Sequence, residues 1–212
     1  MEKYILNSQD SVSLYKLLNH IINIFDKNKI VYWLCAGTFL GAVRCNGIIK
    51  WDDDLDISVP IDYKETIIEI FKNDPIFRFR RSKLVDKICY RNIPGKTNGR
   101  DYGFPFCDIF FMNIDYRDNR PAYVYSSKQA LKKWPNEYLY LDELFPLKMY
   151  DFGAQRYYGP KKYLEYFIRC YGKNWDKEGV ITYDHKTEKN IPKIQWKLRE
   201  SDYEPAKPFF YN

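Results

Sequence analysis

The stretch WDDDLDISV at positions 51–59 decides how the rest of the chain is interpreted. Four carboxylates fall within five positions, at Asp52, Asp53, Asp54 and Asp56. The second half of the stretch alternates apolar and polar residues, which is the pattern of a β-strand. Because side chains two positions apart point to the same side of a sheet, we expect Asp54 and Asp56 to project together. Two carboxylates held this close favour a hard, oxygen-seeking cation such as Mg²⁺ or Mn²⁺.

A third carboxylate, Asp108, stands in the apolar run FCDIFF at positions 106–111. A charged side chain in such a run costs free energy unless it is paired or bound to a metal. Taken alone, it could equally face solvent from an edge strand or cap a neighbouring turn. Taken together, Asp54, Asp56 and Asp108 predict a metal centre held by three carboxylates, and the same residues are the catalytic candidates.

A second candidate feature lies upstream, where Gly37 and Thr38 follow the β-rich run VYWLC at positions 31–35. We predict a short helix over about 38–44, capped by the Thr38 side chain. The backbone N–H groups and the helix dipole at such a corner can bind an anion. Gly37 would let a phosphate approach the backbone, and the Thr38 hydroxyl could donate to a phosphate oxygen. Most Gly-Thr pairs are ordinary caps, so the prediction depends on the position of this pair before the carboxylates.

Several residues around the acidic stretch have two interpretations each. Arg44 and Lys50 could bind a phosphate group or could be surface charges. Asp52 and Asp53 are expected to cap the turn or to lie behind the metal ligands. Trp51 is expected in the core rather than as a stacking platform for a nucleotide base.

Hydrophobic periodicity predicts a mixed α/β or α+β fold, with a small mixed central sheet flanked by helices. Helices are predicted over residues 11–28, 38–44, 62–73, 126–134 and 160–171. Strands are predicted over residues 31–35, 54–59, 77–80, 87–90 and 106–111, with a Gly- and Asn-rich loop over 94–103. We expect a single domain over residues 1–212. Its catalytic core would span about 28–115 and a helical or irregular portion about 120–212, the last twenty-odd residues being irregular.

The bulk properties narrow the class of protein. The chain has 212 residues, 45% of them hydrophobic, which is enough apolar surface for a sizeable core. Its net charge of +6 is not gathered in a run, which suits an anionic small substrate and gives no reason to expect a nucleic acid partner. The N-terminus lacks the pattern of a signal peptide, and no apolar run approaches the ~20 residues of a membrane span. We therefore expect a cytoplasmic protein without a transmembrane segment.

The five cysteines are widely spaced and form no CxxC pair. A zinc site built from them with His20 and His185 therefore has little support. Free, mostly buried thiols in a reducing compartment are the simpler expectation.

Two blocks of sequence resemble the signature of the LicD family, which includes bacterial phosphorylcholine transferases and is similar to fukutin and fukutin-related protein. These blocks are AGTFLGAVR at positions 36–44 and IIKWDDDLDI at positions 48–57. The run FCDIF at 106–110 resembles the next strand of the family, and LFPL at 144–147 and YGP at 158–160 resemble its C-terminal portion. The resemblance touches most of residues 30–175, although Lys50 stands where the family often has Pro.

This resemblance implies a nucleotidyltransferase fold in which Asp54 and Asp56 form the D-x-D pair and Asp108 is the third acid. Members of the family transfer a phospho-alcohol, such as phosphocholine or ribitol phosphate, from a CDP-activated donor to a sugar hydroxyl. The resemblance therefore implies a CDP-linked donor, a glycan or lipid-linked sugar acceptor, and Mg²⁺ or Mn²⁺ as cofactor. Asp108 is a candidate for the base that activates the acceptor hydroxyl.

Two other functions remain open at the level of sequence. The same three acids would serve a nucleotidyltransferase that moves a nucleoside monophosphate from a nucleoside triphosphate to a sugar or another acceptor. A catalytically inactive member could act as a binding module, although the presence of all three acids argues against this.

Overall fold

The computed structural model describes residues 5–92, 103–185, 187 and 189–210. The chain begins with a long amphipathic helix, α1 (Ser8–Lys27), which starts three residues earlier than predicted. Asn7 is the N-cap, and its side chain accepts a hydrogen bond from the backbone N–H of Asp10. The apolar side of α1 is fully buried in the core, and it includes Leu14, Leu17, Leu18, Ile21 and Phe25. Burying such side chains supplies about 1.5–3 kcal/mol each.

Among the described residues, seven strands form one mixed sheet. They are β1 (Trp33–Leu34), β2 (Leu55–Pro60), β3 (Phe77–Arg80), β4 (Asp86–Tyr90), β5 (Phe106–Arg117), β6 (Arg120–Tyr125) and β7 (Leu139–Tyr140). The strand order is β1-β2-β5-β4-β3, with β6 pairing the far half of β5 and β7 pairing β6. Strands β2 and β5 run parallel, and the other pairs are antiparallel. The predicted mixed sheet flanked by helices is confirmed.

Two helices connect the first strands. Helix α2 (Ala36–Cys45) begins two residues before the predicted position, and its N-cap, Cys35, makes no side-chain capping bond. Thr38 therefore lies inside the first turn, and the prediction that it caps the helix was wrong. After β2, a 3₁₀ turn at Ile61–Tyr63 leads into α3 (Lys64–Asn73), close to the predicted helix over 62–73.

Much of the region after residue 120 forms strands, whereas the sequence predicted a helical or irregular portion there. Besides β6 and β7, this region holds the hairpin β8 (Lys148–Phe152) and β9 (Gln155–Gly159), and the hairpin β10 (Glu178–Asp184) and β11 (Lys189–Lys197). The helices here are α4 (Lys128–Lys133), α5 (Leu141–Leu144) and α6 (Leu164–Tyr171). The prediction of irregular structure for the last twenty-odd residues was wrong, because β11 and a 3₁₀ turn at Glu200–Tyr203 lie there.

The predicted loop over 94–103 lies outside the described residues except for Gly103. Within the described part of the chain, no helix combines the length and the apolar character needed to cross a membrane.

Candidate active site

Three neighbouring strands place charged side chains in one row across the sheet. Asp56 on β2 pairs in register with Asp108 on β5, and Asp108 pairs in register with Lys87 on β4. Residues directly opposite each other on paired strands project to the same face. The backbone register therefore brings two carboxylates and an ammonium group together before any side-chain rotamer is considered.

Asp54 completes this group from the position just before β2, two residues from Asp56. The three carboxylates of Asp54, Asp56 and Asp108 are 7%, 8% and 6% exposed. One oxygen from each lies within 4.8 Å of the others. The structure thus brings together the three residues that the sequence singled out as metal ligands and catalytic candidates.

Burial and mutual repulsion act strongly on these carboxyl groups. Burial raises the pKa of Asp56 well above its usual value, and the charges of Asp54 and Asp108 raise it further. Burial also raises the pKa of Asp108 to about 6, although the neighbouring Lys87 lowers it. Buried carboxylates that converge without enough compensating charge are a donor set suited to a hard divalent cation. The residues present therefore fit either Mg²⁺ or Mn²⁺.

The first turn of α2 contacts the carboxylates from one side. The backbone N–H of Gly37 donates to Asp56 Oδ2 at 3.1 Å. A Cβ atom at position 37 would collide with Asp52 Oδ2, so a larger residue there would have to displace the Asp52 carboxylate. Gly37 therefore lies beside the carboxylates, with its N–H directed at a metal-ligand candidate.

Thr38 makes a hydrogen bond that the sequence does not predict. Its hydroxyl oxygen accepts a hydrogen bond from the backbone N–H of Asp56 at 2.7 Å, and the residue is 3% exposed. This contact ties the helix to β2 at the position that presents the Asp56 side chain. In the structure Thr38 supports the carboxylates from behind, and its oxygen is already used as an acceptor.

The two basic candidates make hydrogen bonds to later parts of the chain. Arg44 Nη1 donates to the carbonyl oxygens of Trp175 at 3.2 Å and Glu178 at 3.4 Å. Its guanidinium lies 5.4 Å from the Trp51 ring centroid, and its buried Nε has no hydrogen-bond partner among the described residues. Burial lowers the pKa of Arg44.

Lys50 points to the C-terminal segment instead. Its Nζ donates to the Ser201 carbonyl at 2.7 Å and lies 3.3 Å from Glu204 Oε2. The structure does not bring Lys50 together with Asp54, Asp56 and Asp108.

The two remaining acids of the stretch lie next to the three carboxylates. The backbone N–H of Asp52 donates to the Ile49 carbonyl at 2.9 Å, which closes the turn before β2. Burial raises the pKa of Asp52 well above its usual value, and the charges of Asp54 and Asp53 add to this effect. Asp53 accepts a hydrogen bond from His185. Both residues thus occupy the surrounding positions expected of them.

Two basic residues at this site were missed at the level of sequence. Lys87 Nζ lies 2.5 Å from Asp108 Oδ1 and 3.5 Å from the centroid of the Phe106 ring, and the residue is 7% exposed. A basic residue inside the apolar strand at 86–90 was the available signal, because a buried lysine needs an anionic partner. The strand register that identifies Asp108 as this partner is not readable from the sequence.

His185 reaches the acids from the end of β10. Its Nδ1 lies 2.6 Å from Asp53 Oδ1, and its Nε2 lies 3.1 Å from Asp54 Oδ2. Burial lowers the pKa of His185, but the neighbouring carboxylates of Asp54 and Asp53 outweigh this effect and raise it to about 10. No local sequence pattern predicts the contact between His185 and Asp53, because the two residues are 132 positions apart. The metal-type clusters among the described residues are built from carboxylates and His185.

Two adjoining cavities open at the carboxylates. The acid pocket, of about 430 Å³, is lined by Asp54, Asp56 and Asp108 and by residues around the end of α4, including Lys133 and Asn136. The aromatic pocket, of about 440 Å³, is lined by Arg44, Trp51, Tyr171, Trp175, Tyr183 and Lys193, among others. Gly37, Asp52, Tyr171 and His185 line both pockets. A ligand with one part in each pocket would therefore pass directly beside the three carboxylates.

Comparison with known proteins gives relatives of several kinds. The uncharacterized protein RP689 of Rickettsia prowazekii is 33% identical over 185 residues, which cover 87% of this chain and 63% of that protein. Human ribitol-5-phosphate transferase FKTN is 27% identical over 207 residues, which cover 92% of this chain and 41% of that protein. Lipopolysaccharide cholinephosphotransferase LicD of Haemophilus influenzae is 34% identical over 71 residues, 34% of this chain and 26% of that protein. The chain thus spans less than two thirds of the length of each of these relatives.

Among solved structures, the lincomycin-bound lincosamide antibiotic adenylyltransferase LnuA matches with a TM-score of 0.40 and 14% identity. This match covers 69% of this chain and 79% of that chain, and it is too distant to bear on function. The family described as LicD/FKTN/FKRP, nucleotidyltransferase domain, matches residues 29–162, which contain all three carboxylates. Because this match covers more than half of the chain, the chain belongs to the LicD/FKTN/FKRP family.

Proposed function

We propose that this chain transfers a phospho-alcohol, such as phosphocholine or a polyol phosphate, from a CDP-activated donor to a glycan hydroxyl. The observation that carries this proposal is the convergence of the buried carboxylates of Asp54, Asp56 and Asp108 where two cavities meet. We propose that these three residues hold Mg²⁺ or Mn²⁺. A divalent cation bound there would neutralise the diphosphate of the donor and stabilise the charge on the transferring phosphoryl group.

The residues around the carboxylates fix their orientation in this proposal. The Gly37 N–H holds one oxygen of Asp56, and Lys87 holds Oδ1 of Asp108. Fixed donors of this kind preorganise a metal site, so that little reorganisation is needed when the donor substrate binds. Asp108 is our candidate for the base that accepts the proton of the acceptor hydroxyl, because its carboxylate lines the acid pocket.

The aromatic pocket is our choice for the nucleoside half of the donor. Tyr171 and Trp175 offer ring surfaces for a planar base and a ribose, while Trp51 is buried in the core. The buried Nε of Arg44 is a hydrogen-bond donor without a described partner, which suits a carbonyl or hydroxyl oxygen of a ligand. Arg44 would therefore recognise the nucleoside rather than the transferred phosphate, and Gly37 would lie beside the diphosphate.

The acid pocket would then receive the acceptor. Lys133 and Asn136 offer polar groups, and Trp134 offers a ring face of the kind on which sugars pack. A glycan or a lipid-linked sugar fits this chemistry, and we keep a cytoplasmic location as part of the proposal. The names of two relatives, a ribitol-5-phosphate transferase and a cholinephosphotransferase, support a phospho-alcohol as the transferred group.

A thermal-shift screen with CDP, CMP, CTP, UTP and CDP-choline, each with and without Mn²⁺, tests the proposal. A ligand that binds the folded state raises the melting temperature by mass action. We expect stabilisation by the cytidine diphosphates that requires Mn²⁺ and is lost in Asp54→Ala. The exposed acid Asp62 provides a control variant, Asp62→Ala, which should keep the response.

Analysis of the nucleotide product separates the proposal from its rivals. Release of CMP from a CDP-alcohol supports it. Release of diphosphate from a nucleoside triphosphate would instead identify a nucleotidyltransferase. A folded protein that binds neither nucleotide nor metal would point to an inactive binding member and would overturn the proposal.

A further inference from the structure

His185 joins two carboxylates of the acidic stretch. Its two ring nitrogens lie 2.6 Å from Asp53 Oδ1 and 3.1 Å from Asp54 Oδ2. Each ring nitrogen therefore lies within hydrogen-bond distance of one carboxylate oxygen. The imidazole therefore holds Asp53 and Asp54 in fixed positions relative to each other.

The element that carries His185 is anchored to the core at several points. Arg44 on α2 donates to the Trp175 and Glu178 carbonyls at the start of the hairpin formed by β10 and β11. Trp196 on β11 packs edge-to-face on Trp51, with ring centroids 4.7 Å apart. These contacts define where the hairpin lies against the acidic stretch, so the position of His185 does not depend on its own hydrogen bonds alone.

The same hairpin lies outside the part of the chain that matches the family, which ends at residue 162. His185 is thus a residue of the site that family membership does not assign. It also lines both pockets, next to Asp52 and Gly37.

We propose that His185 is a positioning residue, which orients the Asp54 carboxylate so that one of its oxygens converges with those of Asp56 and Asp108 on a divalent cation. This inference rests on the proposed metal centre. Residues that orient metal ligands through hydrogen bonds typically change metal affinity or activity 10- to 100-fold when they are removed. In this proposal His185 acts on the metal through Asp54.

The chain contains a matched control for this inference. His20 Nε2 lies 2.7 Å from Asp74 Oδ2, and its side chain is 28% exposed, compared with 23% for His185. The two histidines thus make similar contacts to carboxylates, but His20 lies on α1 and lines neither the acid pocket nor the aromatic pocket.

The experiment is a titration with Mn²⁺, in which electron paramagnetic resonance measures the free ion and gives the Kd. We expect His185→Ala to raise the Kd about 10- to 100-fold. We expect His185→Gln, which keeps one donor group, to lie between wild type and His185→Ala. His20→Gln should lower thermal stability and leave the Kd unchanged. His185→Gln also provides the test if His185→Ala does not fold.

Three results would overturn the inference. The first is an unchanged Kd for Mn²⁺ in both His185 variants while Asp54→Ala loses Mn²⁺ binding. This result would support the metal centre and exclude a positioning role for His185. The second is a nitrogen coupling to bound Mn²⁺ in the wild-type spectrum that disappears in His185→Ala, which would make His185 a direct ligand. The third is an absence of Mn²⁺ binding by the wild type, which would remove the metal centre itself.

Discussion

At the scale of single residues, Gly37 marks the closest approach of helix α2 to the acidic stretch. Its N–H donates to Asp56, and the carboxylate of Asp52 occupies the space that a Cβ atom would need. Glycine at this position therefore lets the helix backbone lie close to the carboxylates. A phosphate bound there would lie beside the N–H group of Gly37.

We predict that Gly37→Ala lowers the free energy of unfolding by about 1–3 kcal/mol, because the added methyl group must displace the Asp52 carboxylate. Asp52→Ala removes the obstacle, so the double variant should recover part of this loss. Urea denaturation of the four proteins in a double-mutant cycle measures the coupling. Strictly additive effects would contradict the collision.

Lys87 and Asp108 form the other residue-scale pair on which the site depends. We predict that Lys87→Met lowers the free energy of unfolding at neutral pH by about 3–5 kcal/mol, because it leaves Asp108 buried without its cation. Mn²⁺ should restore part of this stability by taking over the charge. Urea denaturation with EDTA or with Mn²⁺ tests both statements.

The variant Lys87→Met with Asp108→Asn is the control for this pair. It replaces both charges by groups of similar size, so it should be more stable than Lys87→Met alone. A double variant less stable than Lys87→Met would contradict the pairing of Lys87 with Asp108.

At the scale of elements, the alternation in WDDDLDISV was enough to predict β2 and the common direction of Asp54 and Asp56. It was not enough to predict that all six residues of β2 are buried, including the polar residues Asp56 and Ser58, or which residues pair with the acids of the stretch. The partners come from strand register and from distant segments, as Lys87 and His185 illustrate. A single sequence shows which residues alternate within a strand but not which strand lies beside it.

Asp74 links three elements and gives a prediction with a defined pH dependence. Its Oδ1 accepts hydrogen bonds from the backbone N–H groups of Ile76 at 2.8 Å and Phe77 at 2.7 Å, and its Oδ2 pairs with His20. Burial raises the pKa of Asp74, but the hydrogen bonds from Phe77, His20 and Ile76 outweigh it and lower the pKa below 3.8.

A depressed pKa in the folded state adds stability above the unfolded value and loses it as the pH falls through the folded value. We therefore predict that Asp74→Asn is less stable than wild type at pH ~7, by about 1 kcal/mol or more, and that the difference shrinks below pH ~3.8. Urea denaturation of both proteins over this pH range is the measurement. A difference that stays constant or widens as the pH falls would contradict the assignment.

At the scale of the whole molecule, the C-terminal segment packs back on the first helix. Tyr15 on α1 donates to the Ala206 carbonyl at 3.1 Å and accepts a hydrogen bond from the Ile48 N–H at 3.0 Å. The Ala206 N–H also donates to the Ile48 carbonyl at 2.8 Å. These contacts connect the start of the chain, the turn before the acidic stretch and residue 206, and they support our proposal that residues 1–212 form one domain.

We predict one cooperative thermal transition, with a calorimetric enthalpy equal to the van't Hoff enthalpy. Tyr15→Phe should lower the stability by about 1–3 kcal/mol and keep a single transition, because it removes both hydrogen bonds of a buried hydroxyl. Differential scanning calorimetry of the two proteins decides this. Two separate transitions would mean that the region after residue 120 unfolds on its own.

The missed hairpin of β10 and β11 has a physical explanation at this scale. Most outward-facing residues of β11 are polar, and its partly buried side chains, such as Ile191 and Trp196, pack on residues far away in the sequence. Such strands gain their stability from tertiary packing, so their local pattern is weak. The core strands could be predicted because they contain continuous apolar runs, which indicate burial from the local sequence alone.

The central claim is that Asp54, Asp56 and Asp108 together hold a divalent cation beside a cytidine diphosphate. Anomalous diffraction from crystals grown with Mn²⁺ and CDP tests it most directly. We predict a manganese peak bonded to oxygens of all three carboxylates, with the diphosphate next to Gly37 and the cytosine in the aromatic pocket. Bound CDP with no manganese at these three residues would contradict the claim, as would manganese held by Asp53, Asp54 and His185 instead.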